Sequence, residues 1–125
     1  MDKIDKEYVV EIVLETACEL GEARQAWVGT VLALTDAERG LALANAVVRR
    51  DVTLEAGGAK ALGANAELRE QALTIALVGD DYYGAAEAAY DEAFEREARA
   101  KQRIYNLSDT LKSLRDVLGV LGSIE

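Results

Sequence analysis

The sequence predicts an all-α protein: a long antiparallel helical hairpin with a short helix near its turn, assembling into a dimeric helical bundle. Three observations carry this. The 125 residues contain no proline, so no position removes a helix donor. Alanine, leucine and glutamate, all strong helix formers, are abundant. Apolar residues also recur at heptad spacing over both long stretches, the period that holds one face of a helix on a partner.

The first helix is expected from about residue 4 to about 56. Stepping by seven from Val13 gives Leu20, Trp27, Leu34, Leu41 and Val48. Three places after each come Thr16, Ala23, Thr30, Ala37 and Ala44, with Val9 one step earlier. Large residues at one position and small ones at the other make a seam that a second helix can approach closely. Thr35-Asp36-Ala37-Glu38 has the form of a capping box and would start a new helix there, giving a compact four-helix monomer. The heptad phase runs through residues 34 to 41 without a slip, which favours one long helix.

Gly57-Gly58 ends it. Asn65, a good N-cap, then opens a short helix over 66–77, with Leu68, Ala72, Ile75 and Ala76 as its inward face. Val78-Gly79 stops that helix, and Asp80 or Asp81 caps the last one, expected over 82–121. Its seam alternates steps of three and four through Tyr90, Ala93, Glu97, Ala100, Ile104, Leu107, Leu111, Leu114, Leu118 and Leu121. Glu97 alone breaks the apolar rule. The whole reads as a single helical domain, residues 1–125.

Both long helices carry more apolar surface than one seam uses. Leu14, Val28, Leu32 and Leu43 lie outside it on the first helix, as do Tyr83, Phe94 and Tyr105 on the last. A stripe wider than one seam calls for another neighbour, most simply a second copy of the chain. Leu14, Val28, Leu32, Phe94 and Tyr105 are therefore the expected oligomer interface.

Composition narrows the chemistry. Without histidine there is no Ser-His-Asp triad, Cys-His pair or imidazole metal ligand. The lone cysteine, Cys18, forms no disulfide framework and no CxxC pair. Fourteen basic and 23 acidic residues leave a net charge of −9, which disfavours phosphodiester backbones and anionic membranes. The start MDKIDKEYVV lacks the basic-then-apolar pattern of a signal peptide, and no apolar run approaches the length of a bilayer span. A cytoplasmic location, no cofactor and no catalytic residue set are expected.

Four constellations bear on function. Glu11, Glu15, Glu19 and Glu22 form an acidic stripe on the first helix, and Tyr82-Tyr83 open the last beside Asp80-Asp81; both are expected partner-binding features. Glu19-Leu-Gly-Glu22 and Glu92-Ala-Phe-Glu95 have the ExxE spacing used for Mg²⁺ by all-α nucleotide pyrophosphohydrolases, though the matching ExxD and phosphate-gripping bases are missing. A solvated helix face explains the same pattern. Arg96, Arg99, Lys101 and Arg103 form the one basic cluster, a nucleic-acid contact in an alternative reading. Glu92, Glu95 and Glu97 stand four residues ahead of Arg96, Arg99 and Lys101, so neutralisation along the helix is the simpler account.

The run Gly63-Ala-Asn65-Ala-Glu67-Leu-Arg69-Glu70, followed by Gly79-Asp-Asp81-Tyr-Tyr83 and a long charged helix, resembles small helical coiled-coil accessory proteins of tailed phages and prophages. In these a long helix leads to a G-x-N-x-x-x-R turn, a short helix, an acidic-Tyr link and a coiled-coil helix. The likeness spans roughly residues 57 to 105. It implies a non-enzymatic accessory role with no catalytic residues to carry over. The glycine and alanine content and the missing proline depart from the more Lys/Glu-rich members. Together these expectations describe a self-associating protein that binds a host or phage protein, in one version through an acidic face that imitates DNA.

Overall fold

The structure, a computed structural model, describes the backbone of residues 3–124 and the side chains of residues 5–122. It is all-α, with no strand among the described residues: α1 (Lys3–Ala56), α2 (Ala59–Leu62), α3 (Ala66–Val78) and α4 (Asp81–Ile124). The two long helices pack against each other. α1 passes through Thr35 without interruption. The capping box there has no broken helix to cap, and the unslipped seam decides the local structure.

The turn after α1 is built by glycine. Gly57 has φ +93° and Gly58 φ +121°, conformations that a Cβ would oppose. Gly58 N–H donates to the Thr53 carbonyl at 2.9 Å and Gly57 N–H to that of Leu54 at 3.1 Å. This pair of bonds is a Schellman motif, which satisfies carbonyls at the helix end. α2, a single turn not expected from the sequence, fills the gap before Gly63.

At the start of α3, Asn65 Oδ1 accepts from Leu68 N–H at 2.9 Å, and Arg69 Nε donates to the Gly63 carbonyl at 3.0 Å. Gly63 itself has no room for a side chain. A Cβ there would stand 2.7 Å from Leu68 Cβ and 2.9 Å from the Arg69 nitrogen. The G-x-N-x-x-x-R pattern is thus a self-contained turn: cap, tether and close approach. Asp80 Oδ1 accepts from Tyr83 N–H at 2.8 Å, so Asp80 caps α4.

The chain divides into two compact units, the first comprising residues 1–31 and 96–125 and the second Leu32–Glu95. In the first, Thr16, Leu20, Ala23, Leu111 and Leu121 are buried. Val13, Trp27, Thr30, Glu97, Ile104, Leu107, Leu114 and Leu118 are half-buried. In the second, Ala44, Val48, Leu77 and Ala93 are buried, and Leu34, Ala37, Leu41 and Tyr90 half-buried. Apart from Leu77 of α3, these are residues of the two expected seams.

The inward face of α3 differs from the expectation. Ile75 is 73% exposed and Leu68 also faces outward, whereas Leu77 is buried and Ala72, Leu73 and Ala76 are half-buried. The Arg49 guanidinium forms a two-pronged pair with Glu70, at 2.9 Å and 2.6 Å. Glu70, Leu73 and Leu77 share one side of the helix by their spacing of three and four, so the pair and the buried leucine lie on the face away from Ile75.

Candidate interaction surface

The seam position that sequence logic assigns to an apolar residue holds Glu97, and its partner is Trp27. The indole Nε1–H donates to Glu97 Oε1 at 3.0 Å, across 70 residues of sequence. A half-buried indole needs an acceptor, and the carboxylate on the facing helix supplies it. Thr30 Oγ1 donates to the Trp27 carbonyl at 2.6 Å, so the neighbouring hydroxyl is spent on its own helix.

Beside this pair lies a hollow of about 330 Å³ in the first unit, lined by Arg24, Trp27, Val28, Lys101, Ile104 and Tyr105. Its floor and walls are apolar and aromatic, and both charged residues on it are cations.

Val28 and Tyr105, two of the expected interface residues, meet in this hollow, with 52% and 54% of their surfaces exposed. Leu14, a third, stands on the same unit and is 66% exposed. Leu32 and Phe94, in the second unit, are also exposed. Phe94 stacks loosely on Tyr90, their ring centroids 6.2 Å apart. Arg24, Trp27 and Ile104 were not expected on such a surface. A detectable signal existed: Val10, Leu14, Ala17, Gly21, Arg24, Val28 and Val31 follow steps of four and three one register away from the internal seam. In this second stripe all but Val31 are exposed.

The charged candidates stand outward. Glu11, Glu15, Glu19 and Glu22 are exposed along α1, and Arg96, Arg99, Lys101 and Arg103 along α4. Tyr82 is exposed and Tyr83 half-buried, close enough to Arg49 to act on its charge. Glu92 and Glu95 are exposed, and among the described residues no three acidic or thiol side chains gather as a metal site. Cys18 is exposed, with its Sγ 3.9 Å from Glu22 Oε1.

An ion pair between Arg49 and Glu70 lies in the second unit. Hydrogen bonding from Arg49 holds the Glu70 carboxyl below its ordinary range, and Glu70 in turn raises the guanidinium. No helix among the described residues is long and apolar enough to cross a membrane. Comparison with known protein families, with curated proteins and with solved structures gives no match.

Proposed function

We propose that the chain is a non-catalytic, self-associating helical interaction protein: a phage or prophage accessory or inhibitor that acts in the cytoplasm by binding a protein partner. The observation that carries this reading is the apolar surface left outside the seam. Leu14, Val28 and Tyr105 in the first unit and Leu32 and Phe94 in the second are all more than half exposed.

In this reading α1 and α4 form an antiparallel hairpin, and two hairpins make a dimeric bundle. The acidic stripe Glu11, Glu15, Glu19 and Glu22, together with Tyr82, serves the further protein partner. The phage part of the reading rests on the sequence pattern of Gly63 to Glu70 and Gly79 to Tyr83.

Sedimentation equilibrium tests the association: a mass twice the 13.5 kDa of the chain is expected at high concentration. A single-chain mass throughout would end the reading. For the acidic partner face, binding that fails to weaken with added salt would count against recognition by charge.

A further inference from the structure

We propose that Arg24, Lys101, Tyr105, Lys112 and Arg115 form a cationic surface of the first unit that binds an acidic protein segment, one whose carboxylates alternate with apolar residues. The inference does not rest on self-association. It assigns a partner chemistry opposite to the one that the acidic stripe of α1 would meet.

Charge is the first argument. Residues 98–124 hold five cations and two acids, so this part of α4 is positive in a chain of net −9. The neutralisation expected along α4 is also incomplete. Glu92, Glu95, Arg96 and Arg99 all have interaction partners. Lys101 has none, and Glu97, the acid four residues before it, accepts from the Trp27 indole. Among the described residues no ion pair reaches Arg24, Lys101, Lys112 or Arg115. Arg24 and Arg115 have no acid three or four positions away on their own helices.

Placement is the second. Lys101, Tyr105, Lys112 and Arg115 follow steps of four, seven and three, which puts them on one face of α4 over about 21 Å. Arg24 joins them from α1, since it lines one hollow with Lys101 and Tyr105. All four cations are exposed. The two acids of the stretch, Asp109 and Asp116, stand in the next column and pair with none of them.

The third argument separates the anions that could come. Duplex DNA would bring about twelve phosphates to a stripe of this length, against four cations on an otherwise acidic chain. A helical protein segment brings only a few carboxylates, together with apolar side chains for Tyr105. Tyrosine and arginine are also the residue types enriched where protein partners bind most strongly.

The test titrates the full chain at low salt with a soluble helical peptide of leucine and glutamate that contains no tryptophan. Trp27, the one tryptophan, lines the hollow with Arg24 and Lys101, so its emission reports binding. The peptide should bind, and added salt should weaken it. Lys101→Glu should weaken binding by at least about tenfold, and Lys112→Glu should act in the same direction. Arg103→Glu makes the same change of charge on the opposite flank of α4 and should leave affinity within about twofold. No binding at low salt, or equal losses in Lys101→Glu and Arg103→Glu, overturns the proposal. Oligothymidylate that binds more tightly than the peptide, and is lost in Lys101→Glu, overturns it in favour of nucleic acid. If the peptide fails while Lys101→Glu weakens self-association, the occupant is the acidic stripe of a second copy. A monomeric chain that binds the peptide supports this proposal and ends self-association alone.

Discussion

Gly63 is the residue whose replacement should be felt most sharply for its size. Alanine there places a methyl 2.7 Å from Leu68 Cβ and 2.9 Å from a backbone nitrogen, and a backbone atom cannot rotate away. Gly63→Ala is expected to destabilise the chain by about 1–3 kcal/mol, read as a lower denaturant midpoint. Asn65→Ala removes the cap on Leu68 N–H and should cost about 1 kcal/mol. Glu70 gives the pH response. Its carboxyl is held below its ordinary value of 4.5 by the Arg49 hydrogen bond. A depressed folded value means that the stabilisation is present above 4.5 and is lost as pH falls through the lower, folded value. The acid limb of the stability profile should therefore lose part of its slope in Glu70→Gln. An unchanged limb in that variant would show the pair to be energetically silent, as many exposed ion pairs are.

At the scale of elements, the sequence and the structure agree where one dominant period speaks. Both long seams, the Gly57-Gly58 stop, the Asn65 cap and the Asp80 cap follow from local chemistry that needs no distant partner. The rotation of α3 does not. Its apolar residues are spread around the helix, so period alone does not choose which of them turn inward. Likewise Glu97 looks like an error in its seam until Trp27 is seen to donate to it from the other helix. Long-range pairs of this kind leave no periodic trace. The same division appears on the candidate surface: Leu14, Val28 and Tyr105 are legible as surplus apolar residues, while Arg24 and Ile104 acquire meaning only through their neighbours. The glycines within α1 offer a check on helix continuity. Added Cβ atoms at Gly29 and Gly40 meet nothing within 4 Å, so no packing requires the missing side chain. Gly29→Ala and Gly40→Ala should each raise stability by roughly 0.5–1 kcal/mol in thermal unfolding. A loss at Gly40 would place a bend or a contact there that helix propensity does not describe.

For the whole molecule, charge and apolar surface pull in opposite directions. Each chain brings a net −9 to any dimer, and that charge is spread widely. Burial of the apolar residues outside the seam opposes it at short range. These two effects respond differently to salt. At about 0.01 M the screening length is about 30 Å, so most of one chain repels most of the other; at about 0.15 M it falls to about 8 Å. Apolar burial carries no charge for salt to screen. Dimerisation should therefore tighten as salt rises between these limits, because the long-range repulsion fades before the short-range attraction does. Sedimentation equilibrium at several ionic strengths reads the sign directly. Association that weakens steadily over the same interval would mean that ion pairs, and not burial of the apolar stripe, hold the two copies together. Concentration gives the companion measurement. If unfolding is coupled to dissociation, each tenfold rise in protein adds about 1.4 kcal/mol to the stability of the dimer. That should lift the thermal midpoint by a few degrees. Leu14→Glu, which puts a further negative charge where the apolar contact is proposed, should flatten both dependences together: with no dimer to form, neither salt nor concentration has an association to act upon.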